Sequence, residues 1–309
     1  MSRPTDAHIA SRANLLEGGS ELAPPLVPVP EVRAEDFSGR ALDDFLGRLG
    51  EVGLAGLLLD RPLSDERFRA FGEALGTPLP ETDPAVLPNV SLDVVLNLVG
   101  ERSRTENVSL QPFAANPLSL HTEGSGRPVA EQPRYIVLMC CDPGDDKVAA
   151  QTVLAPMDGI GSRLTPPDLE TLSRTRYRRN PQGPPILRNV DGRQVFSFRD
   201  FLEESLEWTY GGTDGATGTE SATGTDGATG TDGATGTDGA TGTGTAPDTV
   251  DSALRALLTA MYAPGGHSGV RWERGLLLVI DNTFYFHGRR AGTFSVPARR
   301  RHLKRLRIK

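Results

Sequence analysis

The stretch Leu118-Ser119-Leu120-His121-Thr122-Glu123-Gly124 decides how this chain is read. Its alternation of apolar and polar residues is that of a β-strand, where residues i and i+2 project from the same face. If the strand stays extended, His121 and Glu123 offer an imidazole and a carboxylate to one ion. Two donors do not make a site, so a third is needed. Near the C-terminus, Leu276-Leu277-Leu278-Val279-Ile280-Asp281-Asn282 is followed by Thr283-Phe284-Tyr285-Phe286-His287-Gly288-Arg289. His287 comes off this second strand-like run, and the glycine after it leaves room beside the imidazole.

The 309 residues predict one catalytic domain with additions, well above the size at which a core becomes marginal. Lys and Arg total 33 against 40 Asp and Glu, a net charge of -7, which leaves no electrostatic footprint for nucleic acid. Cys140 and Cys141 are adjacent, and neighbours on a strand face opposite ways, so buried thiols are expected rather than a disulfide. Met1 to Arg12 has no apolar h-region, and no run of about 18 apolar residues occurs anywhere. A soluble, cytoplasmic protein that binds no membrane is expected.

Residues 1–30 read as an extended N-terminal arm, because Pro24, Pro25, Pro28 and Pro30 remove backbone donors. Apolar residues at helical spacing mark Ala41 to Leu49, and Gly53 to Asp60 reads as a buried strand. Ser64 is the expected N-cap of a second helix that ends near Gly76. Strands are expected over Leu92 to Val99, Leu118 to His121, Arg134 to Cys141 and Gln151 to Ala155. Pro166 opens a short helix, and Asp191-Gly192 suits the type I′ turn of a hairpin from Arg188 to Phe196. Short strands with tight turns, preceded by helices, predict a mainly β fold with helical cover, a barrel or double-sheet jelly roll. Residues 213–242 differ: Thr-Asp-Gly-Ala-Thr-Gly occurs four times, with one variant unit at Thr219 to Gly224. The tract has no large apolar residue to offset chain entropy, so a disordered insertion is expected over 211–247. An amphipathic helix follows from Asp248.

Two His and one carboxylate on one face of a metal make the facial triad of non-haem Fe(II) chemistry, with positions left open. The tail adds Arg289, Arg290, Arg299, Arg300, Arg301, Lys304 and Arg305. By itself this tail reads as a solvated basic end. On a strand, however, 301, 303 and 305 share a face, which sets two guanidiniums beside one cavity, each able to grip a carboxylate.

His121-Thr122-Glu123, Asp281-Asn282 with His287-Gly288-Arg289, and Arg301-His302-Leu303-Lys304-Arg305 together resemble the TauD-like Fe(II)/2-oxoglutarate-dependent oxygenases. The pattern is similar to the clavaminate synthase-like branch, which includes hydroxylases of arginine and asparagine. The resemblance runs loosely from about residue 40 to the C-terminus; its specific motifs cover three short stretches. It implies a double-stranded β-helix (a jelly roll, cupin-like) over 31–309. It also implies His121, Glu123 and His287 as iron ligands and Arg301 on the distal carboxylate of 2-oxoglutarate, aided by Thr152. Arg305 would hold the substrate carboxylate. The implied activity is hydroxylation of an unactivated C–H of an amino acid, free or borne on a peptide or carrier, with 2-oxoglutarate and O2 as co-substrates. Specialised-metabolite (antibiotic) biosynthesis is the implied setting. Glu123 stands where family halogenases carry a small residue, which favours hydroxylation; desaturation and cyclisation use the same ligands.

Asp200, Glu203 and Glu204 lie where related enzymes have an acidic lid, so Asp200 is a candidate for a substrate cation; the same residues also suit the first turn of a solvated helix. Two other classes compete: a non-catalytic jelly-roll binding protein, which has no need of all four of His121, Glu123, His287 and Arg301, and zinc hydrolysis in the same triad, which leaves the paired arginines unexplained.

Overall fold

The computed structural model describes residues 7–18, 20–101, 103–144, 150–177, 182–200, 208–210, 247–292 and 299–309. The repeat tract, Glu203 and Glu204 lie outside them. Helices and strands are mixed around a sheet-rich core. A seven-stranded sheet runs in the order β1 (Glu31–Val32), β2 (Leu54–Leu59), β13 (Leu276–Asp281), β6 (Tyr135–Asp142), β15 (His302–Ile308), β4 (Val95–Val99), β3 (Val90–Ser91). A four-stranded sheet runs β12 (Ser268–Val270), β7 (Thr152–Pro156), β14 (Tyr285–Arg289), β5 (Leu118–His121). Two small pairs, β9 (Leu187–Val190) with β10 (Arg193–Phe196) and β8 (Thr175–Tyr177) with β11 (Trp208–Tyr210), complete the strands.

Parity along the strands explains the layers. In β6, Ile136, Leu138 and Cys140 join a cluster shared by both sheets, while Val137 and Met139 pack outward against α2 (Arg40–Val52) and α3 (Asp65–Leu75). A strand buried on both faces reads as an unbroken apolar run, as Tyr135 to Cys141 does. The outer face of the four-stranded sheet, with Leu120, Val153, Ala155 and Phe286, is covered by α4 (Met157–Gly161), α5 (Pro166–Arg174) and α6 (Pro247–Met261). Cys140 and Cys141 are free thiols, and burial pushes Cys140 up to about 12.

Local signals act as their chemistry requires. The Ser64 hydroxyl accepts from Arg67 N at 3.3 Å and caps α3. Asp191 and Gly192 both have positive φ, 51° and 76°, as a type I′ turn demands. Two expectations are corrected. The strand predicted from Leu92 starts at Val95, because Leu92 and Asp93 take positive φ (52° and 64°) and turn the chain from β3 into β4. Within the predicted extended arm, Ala7–Glu17 is a helix, α1, whose Leu15 and Leu16 are buried in the cluster around α6. That apolar pair has a distant partner, which local composition does not reveal. The proline-rich part does run across the domain: Gly269 N donates to Ala23 O at 2.8 Å and Leu58 N to Pro30 O at 2.9 Å. No helix among the described residues is long and apolar enough to cross a membrane.

Candidate metal centre and its cavity

β14 pairs antiparallel with β5 in a register that sets His287 directly opposite His121. Directly opposed residues share a sheet face, and the two rings stand 4.4 Å apart between centroids. Gly288 allows this approach: a Cβ there would lie 2.7 Å from Leu118 O. The space it provides is for the neighbouring backbone rather than for a metal. Glu123 follows the end of β5 and is fixed by Asn282, whose Oδ1 accepts from Glu123 N at 2.8 Å. Asn282 Nδ2 donates to Glu123 O and Pro133 O, both at 3.0 Å. Asp281 takes the backbone N and hydroxyl of Thr283 at 2.8 and 2.6 Å and Arg134 at 3.3 Å, which pins the turn before β14.

One donor atom each from His121, Glu123 and His287 lie within 4.8 Å of one another. This donor set fits a divalent transition ion. His121 Nδ1 sits 2.7 Å from Ser119 O, so that nitrogen donates its proton there and Nε2 is the available ligand. Burial above all, with His121 adding to it, pushes His287 down to about 3 and keeps it in the neutral form that binds metal. Its Nδ1 is buried without a hydrogen-bond partner among the described residues. Burial alone would raise the Glu123 carboxyl, but Arg305 above all, with His121 and Arg307, outweighs it and holds it well below the usual range.

The three donors open on a cavity of about 610 Å³ between the sheets. Leu96, Leu98, Ile136, Leu138 and Leu303 give it an apolar floor from the larger sheet, and Thr152 faces it from β7. Arg301, Leu303, Arg305 and Arg307 all line it, as residues of one parity on and just before β15 should. Arg301 Nη1 donates to Ala150 O at 2.5 Å, and no carboxylate of the described residues pairs with it. Burial lowers it to about 10. A buried guanidinium without an anion is an anion site in waiting. Thr152 Oγ1 accepts from Trp272 Nε1 at 3.3 Å, which leaves its own O–H to donate.

Asp200 also lines this cavity, where a substrate cation would meet a carboxylate with partners of its own. It is 3% exposed, and its carboxylate already engages Arg12 Nη1 at 3.2 Å and the Tyr262 hydroxyl at 2.7 Å. That hydroxyl also accepts from Leu120 N at 3.1 Å, so the group ties α1, α6 and β5 together beside the metal donors. Tyr262→Phe leaves the Asp200 and Leu120 groups buried without this partner, and is expected to cost about 1–3 kcal/mol. Urea unfolding would check this, and an unchanged midpoint would refute a structural task for the network.

Sequence reasoning missed two residues, Arg307 and Glu81, and gave a third, Arg289, no role of its own. Arg289 is buried and donates to the carbonyls of Gln111, Ala114 and Asn116 at 2.7–2.8 Å and to Pro112 O, which shapes the loop along one cavity wall. Arg307 has the parity of Arg305, and the same rule carried two residues further finds it. Glu81 sits in a loop with no flanking motif, and no local signal marks it.

The model of the family described as "Taurine catabolism dioxygenase TauD, TfdA family" matches residues 25–307. No curated protein matches the chain. Several solved structures are similar in fold. Asparagine oxygenase in complex with Fe(II), 2S,3S-3-hydroxyasparagine and succinate is 17% identical, with TM-score 0.56 over 87% of this chain and 78% of that one. A mutant of the non-haem iron oxygenase OrfP in complex with (3S)-hydroxy-L-Arg is 18% identical, with TM-score 0.59 over 88% and 80%. PvcB of Pseudomonas aeruginosa, an Fe, alpha-ketoglutarate dependent oxygenase from an isonitrile synthetic pathway, is 21% identical, with TM-score 0.56 over 94% and 90%. At such identities the likeness is one of fold.

Proposed function

The chain belongs to the TauD, TfdA family of dioxygenases, and on that premise we propose that it hydroxylates an unactivated C–H bond of an amino acid with Fe(II), 2-oxoglutarate and O2. The observation that carries this reading is the convergence of His121, Glu123 and His287 on a cavity that also holds Arg301, a buried guanidinium with no carboxylate partner among the described residues. When bound, iron and 2-oxoglutarate supply the oxidising power: O2 converts 2-oxoglutarate to succinate and CO2 and leaves one oxygen atom for the substrate. The chain's own residues do the rest. His121, Glu123 and His287 hold the metal from one side. Arg301 takes the far carboxylate of 2-oxoglutarate, and Thr152 adds its hydroxyl proton. The leucine floor excludes water and holds the target C–H in place.

Arg305 is assigned to the substrate carboxylate. A carrier thioester has no such carboxylate, so the free amino acid is the first class to test. Asparagine oxygenase and OrfP, with their hydroxylated amino acids bound, support this class, and PvcB supports a place in specialised-metabolite synthesis. The same reading infers a double-stranded β-helix over 31–309, acting in the cytoplasm, with 1–30 appended and 211–247 inserted.

Anaerobic addition of Fe(II) and 2-oxoglutarate tests the proposal without any substrate. A weak visible charge-transfer band of the chelate is expected, followed by amino-acid-dependent succinate formation across a panel. Iron-loaded, folded protein without the band would sink the reading.

A further inference from the structure

The cavity contains a charge cluster to which the reaction above assigns only part of a task. Glu81, 8% exposed, takes one arginine on each oxygen: Arg305 Nη2 at 2.9 Å from Oε1 and Arg307 Nη2 at 2.8 Å from Oε2. Arg307 Nη2 also reaches Pro80 O at 3.3 Å. The other terminal nitrogen of each arginine faces Glu123. Arg307 Nη1 lies 3.5 Å and Arg305 Nη1 3.9 Å from Oε1, whereas Oε2 lies 3.8 Å from His121 Nε2. The two oxygens of Glu123 therefore face different neighbours, one the cations and the other the imidazole nitrogen left free to bind a metal.

We infer that Arg307, aimed by Glu81, is a positioning residue that holds Oε1 of Glu123 away from the metal, so that this carboxylate binds through Oε2 alone. The inference rests on the iron reading above. Carboxylates bind metals through one oxygen or both, and a second bond from Glu123 would occupy a position that 2-oxoglutarate or O2 requires. Among the described residues, Nε of both arginines is buried without a hydrogen-bond partner, so the terminal nitrogens, and the carboxylates they meet, set the aim of each guanidinium. Arg305 is farther from Oε1 and is the group a substrate carboxylate would engage. Arg307 is closer, and its Nη2 is also held by Pro80 O.

The test loads the full chain with Fe(II) and 2-oxoglutarate anaerobically, then titrates nitric oxide as a probe of the remaining position, read by the high-spin Fe–nitrosyl EPR signal. In Arg307→Met, iron affinity is expected to fall by no more than the roughly 10–100-fold that loss of an outer partner costs, 2-oxoglutarate still binds the iron-loaded chain, and nitric oxide affinity at saturating iron falls by about tenfold or more, a loss of the same order. Arg307→Lys, which keeps a cation beside Oε1, should recover most of it, and Glu81→Gln should fall between. Equal nitric oxide affinity in Arg307→Met and wild type overturns the inference. So does a parallel loss of iron and of the thermal transition in all three variants, which would make the cluster structural. Wild type that takes up no iron would instead remove the reading beneath it.

Discussion

His287→Ala is expected to abolish stoichiometric iron binding and, with it, turnover. The variant keeps His121 and Glu123, but two donors on one short strand and its end leave an ion held from one edge. Loss of an outer partner already costs about 10–100-fold in metal affinity, so loss of a ligand should exceed the upper figure. Fe(II) binding followed by calorimetry checks this, with circular dichroism to establish folding. The fold should persist, because Phe286 and the pairing of β14 with β7 do not depend on the imidazole. The metal-free protein offers a second signature. A His held neutral by burial stabilises the fold above its unfolded pKa, near 6.5, and that stability is lost as pH falls toward about 3. The acid limb of the stability curve should therefore be shallower in His287→Ala than in wild type. Iron binding equal to wild type would refute the assignment of His287 as a ligand.

Arg301→Ala is expected to raise the 2-oxoglutarate requirement by about two orders of magnitude while leaving iron binding unchanged. Truncating one partner of a buried, hydrogen-bonded charge pair costs about 2–5 kcal/mol, and among the described residues Arg301 has no carboxylate partner to cushion its loss. Arg301→Lys keeps the charge but loses the planar fork, so an intermediate requirement is expected. Arg305→Ala separates the two anion sites: it should raise the KM for the amino acid and leave that for 2-oxoglutarate near wild type. Succinate formation with each component varied in turn measures all three. An unchanged 2-oxoglutarate KM in Arg301→Ala would remove it from the cofactor site.

Much of the site was legible because strand parity is local. His121 and Glu123 were read as neighbours on one face, and Arg301, Leu303 and Arg305 as another set, before any partner strand was known. The same rule extends to Arg307. The order of the motifs then identified the family, since each short pattern taken singly is common. The partners of Asp200 were hidden for the opposite reason. Its acidity suited a substrate cation, but Arg12, 188 residues away, and Tyr262, 62 away, engage it. Nothing in the residues around it announces either partner. The helix Ala7–Glu17 was missed on the same ground, because Leu15 and Leu16 are ordinary until α6 packs against them.

By itself, then, the sequence determined the class of chemistry and which side chains share a face. Backbone geometry sets that alternation over a few residues. Tertiary structure alone decided which faces meet: His287 opposite His121, Asn282 holding the backbone of Glu123, and Glu81 between Arg305 and Arg307. Those juxtapositions follow from strand register and from burial that forces charges to find partners, and both depend on contacts between distant parts of the chain.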